Sequence, residues 1–237
     1  MNRSTLPPVS LSPYIPPTNE QETALARRWG APQLIERRIP VAPGLTEKTV
    51  RDFFSDRWGE VVMVIRRSID GLVWVMTKES FPSHNNSDKD SNENPCQKSR
   101  RLYSLPTGGI RHNEPIETAL WRELEEETGF EAQLKRFLAV IRYVPILATE
   151  NPQDLRREVP SFVSYVFLLQ EDTGDRPVLN CREKILDFKT VSPAELLTIA
   201  RQWRGLSGSS DQFHDLVAWG MFRSLAHQTV GQILMEN

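Results

Sequence analysis

Residues 108–130, GGIRHNEPIETALWRELEEETGF, are the part of the sequence that decides the fold. The run from about 115 to 128 is strongly helical in composition and period, and Gly129 follows it as a carboxyl-terminal stop. We therefore predict a helix over 115–128. Its apolar contacts would come from Ile116, Ala119, Leu120 and Leu124.

Three glutamates fall on one narrow arc of this predicted helix. Glu123 and Glu127 are four residues apart, and Glu126 lies three residues from Glu123. Like charges four residues apart cost an isolated helix roughly 0.2–0.5 kcal/mol per pair, so the cluster favours a compensating cation. Carboxylate oxygens without nearby His or Cys suit Mg²⁺ or Mn²⁺ rather than Zn²⁺. A solvated, Glu-rich surface helix is the alternative interpretation of the acidic run alone.

The spacing of the segment resembles the Nudix box, G-x5-E-x7-R-E-U-x-E-E-x-G-U, in which U is an apolar residue. A chance match somewhere in a chain of this length has a probability on the order of 10⁻⁷. The chain is therefore identified as a member of the Nudix hydrolase family. The matching residues are Gly108, Glu114, Arg122, Glu123, Leu124, Glu126, Glu127, Gly129 and Phe130.

This resemblance implies the Nudix fold, an α/β (α+β) arrangement with a mixed β-sheet sandwiched between helices. It also implies that Glu123, Glu126 and Glu127 bind the essential metal ions, and that the backbone of Gly108 contributes nearby. Mg²⁺ is the expected cofactor, with Mn²⁺ as an alternative. The box would form a loop, a helix and a loop that together carry this metal site.

Two further box residues are expected to support the site. By resemblance, Arg122 would pair with a box carboxylate and hold the arrangement rigid, with Glu114 as its partner. Family members often read L-P-G-G before the box, whereas residues 105–108 read LPTG. Asn113 replaces a common Gly before Glu114, and Asn tolerates left-handed backbone conformations better than most residues. Neither departure removes a carboxylate.

A glutamate downstream of the box serves many Nudix enzymes as an extra metal ligand or base. Glu183 is our first candidate, because EKILDFKTVSPAEL at 183–196 resembles the family's stretch from that loop into the next strand and helix. Glu126 and Glu127 complete the expected catalytic set. The alternatives to Glu183 are Glu150, Glu158 and Glu171.

Residues that bind substrate stay unassigned at this stage. Several cations precede the box or lie near strand ends and loops, where each could contact a substrate phosphate. A solvated surface charge is the alternative interpretation of every one of them. They are Arg66, Arg67, Lys98, Arg100, Arg101, Arg142, Arg156 and Arg157.

The rest of the chain divides into two regions. Residues 1–43 form a proline-rich extension, which contains a short predicted helix at 20–29 and which we interpret as lying outside the core. Residues 44–237 form the Nudix domain, including a polar insertion at 82–99 that is almost without apolar residues.

Strands and helices are predicted on both sides of the box. VVMVIRR and GLVWVMTKE are β-rich runs separated by a turn at Asp70, which indicates a hairpin. Further strands are predicted at 134–147, 162–169 and 185–191. Ser192 begins a capping box for another helix, and a last helix is predicted over 211–235, with its apolar stripe packed in the core.

Composition limits the function classes. Lys and Arg number 29 against 31 Asp and Glu, so the net charge of −2 gives no pull toward nucleic acid or an anionic membrane. No nucleic-acid-binding module is apparent. The two cysteines, Cys96 and Cys181, indicate no disulfide framework. Without a secretory signal or a bilayer-length apolar segment, we expect a cytoplasmic protein, and a homodimer is compatible with the sequence.

The expected activity is metal-dependent hydrolysis of a phosphoanhydride bond in a nucleoside diphosphate linked to another moiety. The alternative is a regulatory Nudix domain that senses a nucleotide derivative without turnover. Because every box carboxylate is present, the enzyme is favoured. The expected partner is a small-molecule nucleoside diphosphate derivative, and the sequence does not select which one.

Overall fold

A computed structural model describes residues 19–41, 57–79, 101–147, 162–172, 176–178, 183–206 and 216–236. The strands in these residues are β1 (Gln33–Val41), β2 (Arg57–Arg67), β3 (Val73–Lys78), β4 (Thr107–Arg111), β5 (Ala132–Leu147), β6 (Phe162–Glu171) and β7 (Ile185–Val191). The helices are α1 (Asn19–Trp29), α2 (Ile116–Thr128), α3 (Pro193–Arg204) and α4 (Leu216–Glu236).

All of these strands belong to one mixed sheet. Its order is β1-β5-β6-β2-β3-β7, and β4 pairs with β2 beside this path. The pairs β1 with β5 and β2 with β6 are parallel. The other pairs are antiparallel, including the predicted hairpin of β2 and β3.

Strand alternation distributes the core over both faces of the sheet. Val61 and Met63 of β2 face the cluster that contains the apolar side of α2, whereas Val62 and Val64 face the cluster that contains α3 and α4. Helices therefore cover the sheet on both sides. The predicted architecture, a mixed sheet between helices, is confirmed.

The box helix forms where the sequence predicts it. Helix α2 begins after Pro115, and its apolar residues Ile116, Ala119, Leu120 and Leu124 are buried. It ends at Gly129, whose φ of 64° places it in the left-handed region that glycine favours. The amide of Gly129 donates to the carbonyl of Glu125 at 3.1 Å, which closes the last turn.

Helix α3 also begins as predicted. The hydroxyl of Ser192 accepts a hydrogen bond from the amide of Glu195, whose carboxylate accepts one from the amide of Ser192. The predicted last helix corresponds to α4, and the first residues of that prediction, 211–215, lie outside the described residues. Phe222, Ala226 and Val230 of α4 are buried in the core.

The amino-terminal segment departs from our interpretation of it as an extension outside the core. Strand β1 pairs with β5 from Gln33 opposite Ala139 onward, and Leu25 of α1 is buried in the core cluster. Residues 19–41 therefore add a strand to the sheet and a helix to its surface. The sequence does not reveal this strand because β1 is held by backbone hydrogen bonds at the edge of the sheet. Charged residues and a proline such as Pro40 are tolerated in an edge strand.

Several sequence predictions fall outside the described residues. Within those residues, no helix has both the length and the hydropathy needed to cross a bilayer. The predictions outside them concern the insertion at 82–99, Cys96, Cys181, Lys98, Arg100, Glu150, Arg156, Arg157 and Glu158.

Candidate active site

Arg122 joins the carboxylates of the box. Its Nε and Nη2 atoms each donate to Glu114 at 2.8 Å, and Nη2 also donates to the carbonyl of Gly109 at 2.9 Å. Its Nη1 atom donates to Glu123 at 2.6 Å and to Glu126 at 3.0 Å. The hydrogen bond from Arg122 is the main reason that the pKa of Glu114 lies below its ordinary value. Arg122 thus ties the loop before α2 to two carboxylates on the helix.

The turn before the helix places Glu114 for this role. Asn113 has a φ of 64°, the left-handed conformation that the sequence predicted it would tolerate. The carboxylate of Glu114 accepts from the amide of Arg111 at 3.0 Å, and the amide of Glu114 donates to the carbonyl of Arg111 at 3.1 Å. The expected pairing of Glu114 with Arg122 is therefore present in the structure.

Glu123 packs directly against the first glycine of the box. A Cβ atom on Gly108 would overlap the carboxyl group of Glu123, so only glycine allows this approach. Glu123 is 9% exposed, and its burial raises the pKa of the carboxyl group despite the opposing effect of Arg122. The side chain of Glu123 and the main chain of Gly108 therefore lie next to each other.

Glu127 is the most buried carboxylate of the arc, at 1% exposure. One of its oxygens accepts from the amide of Thr107 at 3.0 Å, and the other accepts from Nζ of Lys78 at 2.6 Å. Burial nevertheless raises the pKa of Glu127 to about 7, because desolvation outweighs the attraction of Lys78. The site therefore has less positive charge than its carboxylates need when they are ionised.

Pairing of β3 with β7 brings the predicted downstream glutamate to this position. Lys78 lies opposite Ile185 in the sheet, and Lys184 takes a left-handed turn just before β7. The carboxylate of Glu183 lies 3.6 Å from Nζ of Lys78, which also contacts Glu127. The Glu183 side chain is 36% exposed. Lys78 thus lies between a buried box carboxylate and a carboxylate that water reaches.

The donor set of the arc fits a hard divalent ion. Its groups are carboxylates, two of them converge on one atom of Arg122, and burial raises the pKa of Glu123 and Glu127. Positive charge at this position would favour the ionised forms. In the described part of the chain, no three acidic, His or Cys side chains converge on one point as they stand. The carboxylate oxygens face Arg122 and Lys78 instead.

Other sequence candidates lie away from the arc. Glu171, an alternative to Glu183, is buried at the opposite end of β6, where Nε of Arg67 lies 4.0 Å from its carboxylate. Arg66 contacts the turn after β2, and Arg142 pairs with Glu22 of α1 at 2.7 Å. These arginines therefore have local partners rather than positions beside the box.

Sequence reasoning missed two residues that contact the arc and a third that contacts one of them from the other face of the sheet. Lys78 contacts Glu127, Thr107 donates its amide to the same carboxylate, and Arg223 of α4 donates to the hydroxyl of Thr107 at 2.8 Å. Arg223 and His227 lie four residues apart on α4 and therefore share one face of that helix. That spacing was the signal that could have found Arg223, whereas no sequence pattern pointed to Lys78 or Thr107.

A model of the NUDIX domain family matches residues 56–208, which is more than half of the chain. The chain belongs to the Nudix family. The match contains the whole of the box and Glu183, but neither β1 nor α4. No curated protein matches this chain.

Several solved structures resemble this chain at low sequence identity. The E. coli dihydroneopterin triphosphate pyrophosphohydrolase is 13% identical, with a TM-score of 0.46, over 77% of this chain and 98% of that one. A MutT protein from Methanosarcina mazei Go1 is 14% identical, with a TM-score of 0.42, over 77% and 96%. The NUDIX domain of Shewanella oneidensis NrtR, complexed with ADP ribose, is 17% identical, with a TM-score of 0.37, over 62% and 80%.

Proposed function

We propose that this Nudix chain is a divalent-metal-dependent hydrolase that cleaves a phosphoanhydride bond in a nucleoside diphosphate linked to another moiety. The observation that carries the proposal is the arc formed by Glu123, Glu126 and Glu127. It combines two buried carboxylates of raised pKa with the close approach of Gly108. Burying two carboxylates is costly for a purely structural helix, and a bound cation would offset that cost.

The metal ligands in this proposal are Glu123, Glu126, Glu127 and the main chain at Gly108. Mg²⁺ or Mn²⁺ bound there would neutralise phosphate charge and lower the pKa of a bound water. Glu126 is the most open of the three glutamates, with its side chain 41% exposed, so it is the one that a dissolved substrate reaches most readily. Arg122 keeps Glu123 and Glu126 close together while the site is charged.

Glu183 is the proposed proton acceptor for the attacking water. It is partly exposed, lies beside the arc, and is tied to it through Lys78. A positioned general base contributes typically about 10²–10⁴-fold to rate. Nζ of Lys78 lies 3.6 Å from the carboxylate of Glu183 and would hold that side chain beside the arc.

The test is turnover of purified protein against a panel of nucleoside diphosphate derivatives with Mg²⁺ or Mn²⁺, read as phosphate released after phosphatase treatment. Glu126→Gln and Glu127→Gln should each lower turnover by at least about 10²-fold. Glu125→Gln is the matched control, because Glu125 is exposed on the same helix and is not part of the arc. Full activity in both arc variants would refute the proposed site.

A second measurement separates an enzyme from a ligand sensor. Glu183→Gln should lower kcat much more than it raises the dissociation constant of substrate, because a base matters most as water is activated. A sensor would instead bind a ligand of the panel without multiple turnovers under any metal condition. An active wild type with a fully active Glu183→Gln variant would keep the hydrolase and move the base to Glu150 or Glu158.

A further inference from the structure

Strand β4 connects the box to the opposite face of the sheet. Its first two residues, Thr107 and Gly108, face opposite sides, as consecutive strand residues do. Gly108 faces α2, where it meets Glu123, and the Thr107 hydroxyl faces α4, where it meets Arg223. The amide of Thr107 meanwhile donates to Glu127. A contact made on the α4 side can therefore act on the carboxylates of the arc through one residue.

Arg223 is held firmly on the α4 side. Its Nη1 atom donates to the hydroxyl of Thr107 at 2.8 Å and lies 3.4 Å from the carboxylate of Glu60. Glu60 is 4% exposed and also accepts from the hydroxyl of Ser164 at 2.7 Å. The guanidinium is thus fixed by a buried carboxylate on β2, and it binds the hydroxyl of Thr107 on the face of the sheet that α4 covers.

His227 holds the same loop one helical turn further along α4. Its Nε2 atom accepts from the amide of Leu105 at 2.9 Å, so Nδ1 carries the proton and donates to the carbonyl of Arg223 at 2.7 Å. His227 is 1% exposed, and burial keeps the pKa of the ring low, which maintains the neutral form that this bond requires. Helix α4 therefore contacts both ends of residues 105–107.

We propose that α4 is a positioning element of the metal site. Arg223 and His227 fix the main chain at 105–107, which aims the amide of Thr107 at Glu127 and keeps Gly108 against Glu123. Helix α4 lies outside the matched residues 56–208, so this support comes from beyond the family domain. The inference rests on the proposed function, since it assigns α4 a role in the same site.

Substitutions of Thr107 test its contact with Arg223 with the smallest change in side-chain size. Thr107→Val keeps the side-chain volume but removes the acceptor for Arg223, whereas Thr107→Ser keeps the acceptor. Mn²⁺ binding to the full chain, measured by electron paramagnetic resonance, should weaken in Thr107→Val by up to about 10-fold, the lower end of the cost of losing a direct partner of a metal ligand, because the amide that meets Glu127 is kept but is no longer held in place. Thr107→Ser should bind within about twofold of wild type. Wild-type affinity in Thr107→Val would overturn the proposal.

A double variant shows whether Arg223 acts through Thr107. Arg223→Met removes the contact with Glu60 as well as the contact with Thr107. If Arg223 acts on the site through Thr107, Arg223→Met should weaken Mn²⁺ binding as Thr107→Val does, and combining them should add little more, because both variants remove the same contact between Arg223 and Thr107. Additive losses would overturn that route. Arg204→Met is the control, because it removes only an exposed hydrogen bond between α3 and Gln228 of α4. It should leave Mn²⁺ affinity unchanged.

Amide hydrogen exchange gives a readout that needs neither metal nor turnover. Arg223→Met should speed exchange at Thr107, and His227→Phe should speed it at Leu105, while α3 keeps its wild-type protection. Unchanged exchange at both amides would overturn the proposal, even if turnover falls. A wild type that binds Mn²⁺ and shows these changes but hydrolyses nothing would refute the hydrolase alone. A wild type that binds no Mn²⁺ would refute both.

Discussion

Gly108 is a position where one methyl group should disable the site. A Cβ atom there would overlap the carboxyl group of Glu123, which is buried and tied to Arg122. We expect Gly108→Ala to displace Glu123 and to weaken Mn²⁺ binding by at least about tenfold, measured by titration. Gly205→Ala is the control, since its nearest contact is an ordinary 3.4 Å. Equal affinity in both variants would contradict the close packing.

Glu127 should make the metal-free protein lose stability as pH rises. Its folded pKa of about 7 exceeds the ordinary 4.5, so the folded state holds the proton more tightly, and stability falls between about pH 5 and 8. The contribution should be about 1–3 kcal/mol. Urea unfolding in EDTA at both pH values should show a smaller decrease for Glu127→Gln than for wild type. Identical pH dependence would contradict the raised pKa.

The sequence predicted those site residues that lie close together in the chain. Arg122 and Glu114 belong to one spacing pattern, and so do the three glutamates of the arc. Lys78 meets Glu127 across 49 positions, and Arg223 meets Thr107 across 116. Contacts of that separation depend on strand order and helix packing, which spacing within a motif does not encode.

Helix α1 provides the side-chain cap that the amino end of α2 lacks in its own sequence. Pro115 precedes α2 and provides no side-chain cap, but the amide of Ile116 donates to the side-chain oxygen of Gln21 at 3.2 Å. Losing a cap typically costs about 1 kcal/mol, so Gln21→Leu should lower the free energy of unfolding by about that amount in urea. Arg27→Gln, an exposed change on the same helix, should cost much less. Equal effects would contradict the capping role.

Helix and strand positions were predictable where the pattern was strong. The apolar period and Gly129 predicted the position of α2. The spacing of Ser192 and Glu195 in a capping box predicted the start of α3, and the structure contains both of its hydrogen bonds. Strand β1 was missed because IERRIP carries charges and a proline, although it pairs with β5 along its length. An edge strand depends on its neighbour for hydrogen bonds and needs little apolar alternation of its own.

On the scale of the molecule, the structure extends beyond the matched residues 56–208 at both ends. Strand β1 covers one edge of β5, and Leu25 of α1 is buried in the core on one face. On the other face, α4 buries Phe222 and Val230 against the sheet. The two flanking regions therefore complete the sheet edge and both core layers.

A chain shortened to residues 56–208 should consequently fail to unfold cooperatively. It would expose the partners of α4 on one face and an unpaired edge of β5, and both favour association between chains. We expect dye binding to exposed apolar surface, with no sharp thermal transition by circular dichroism. A chain of residues 19–237, which retains every described element, is the control and should melt sharply. If the shorter chain melts cooperatively at the midpoint of the full chain, the flanking elements are dispensable for the core, and α4 contributes only at the site.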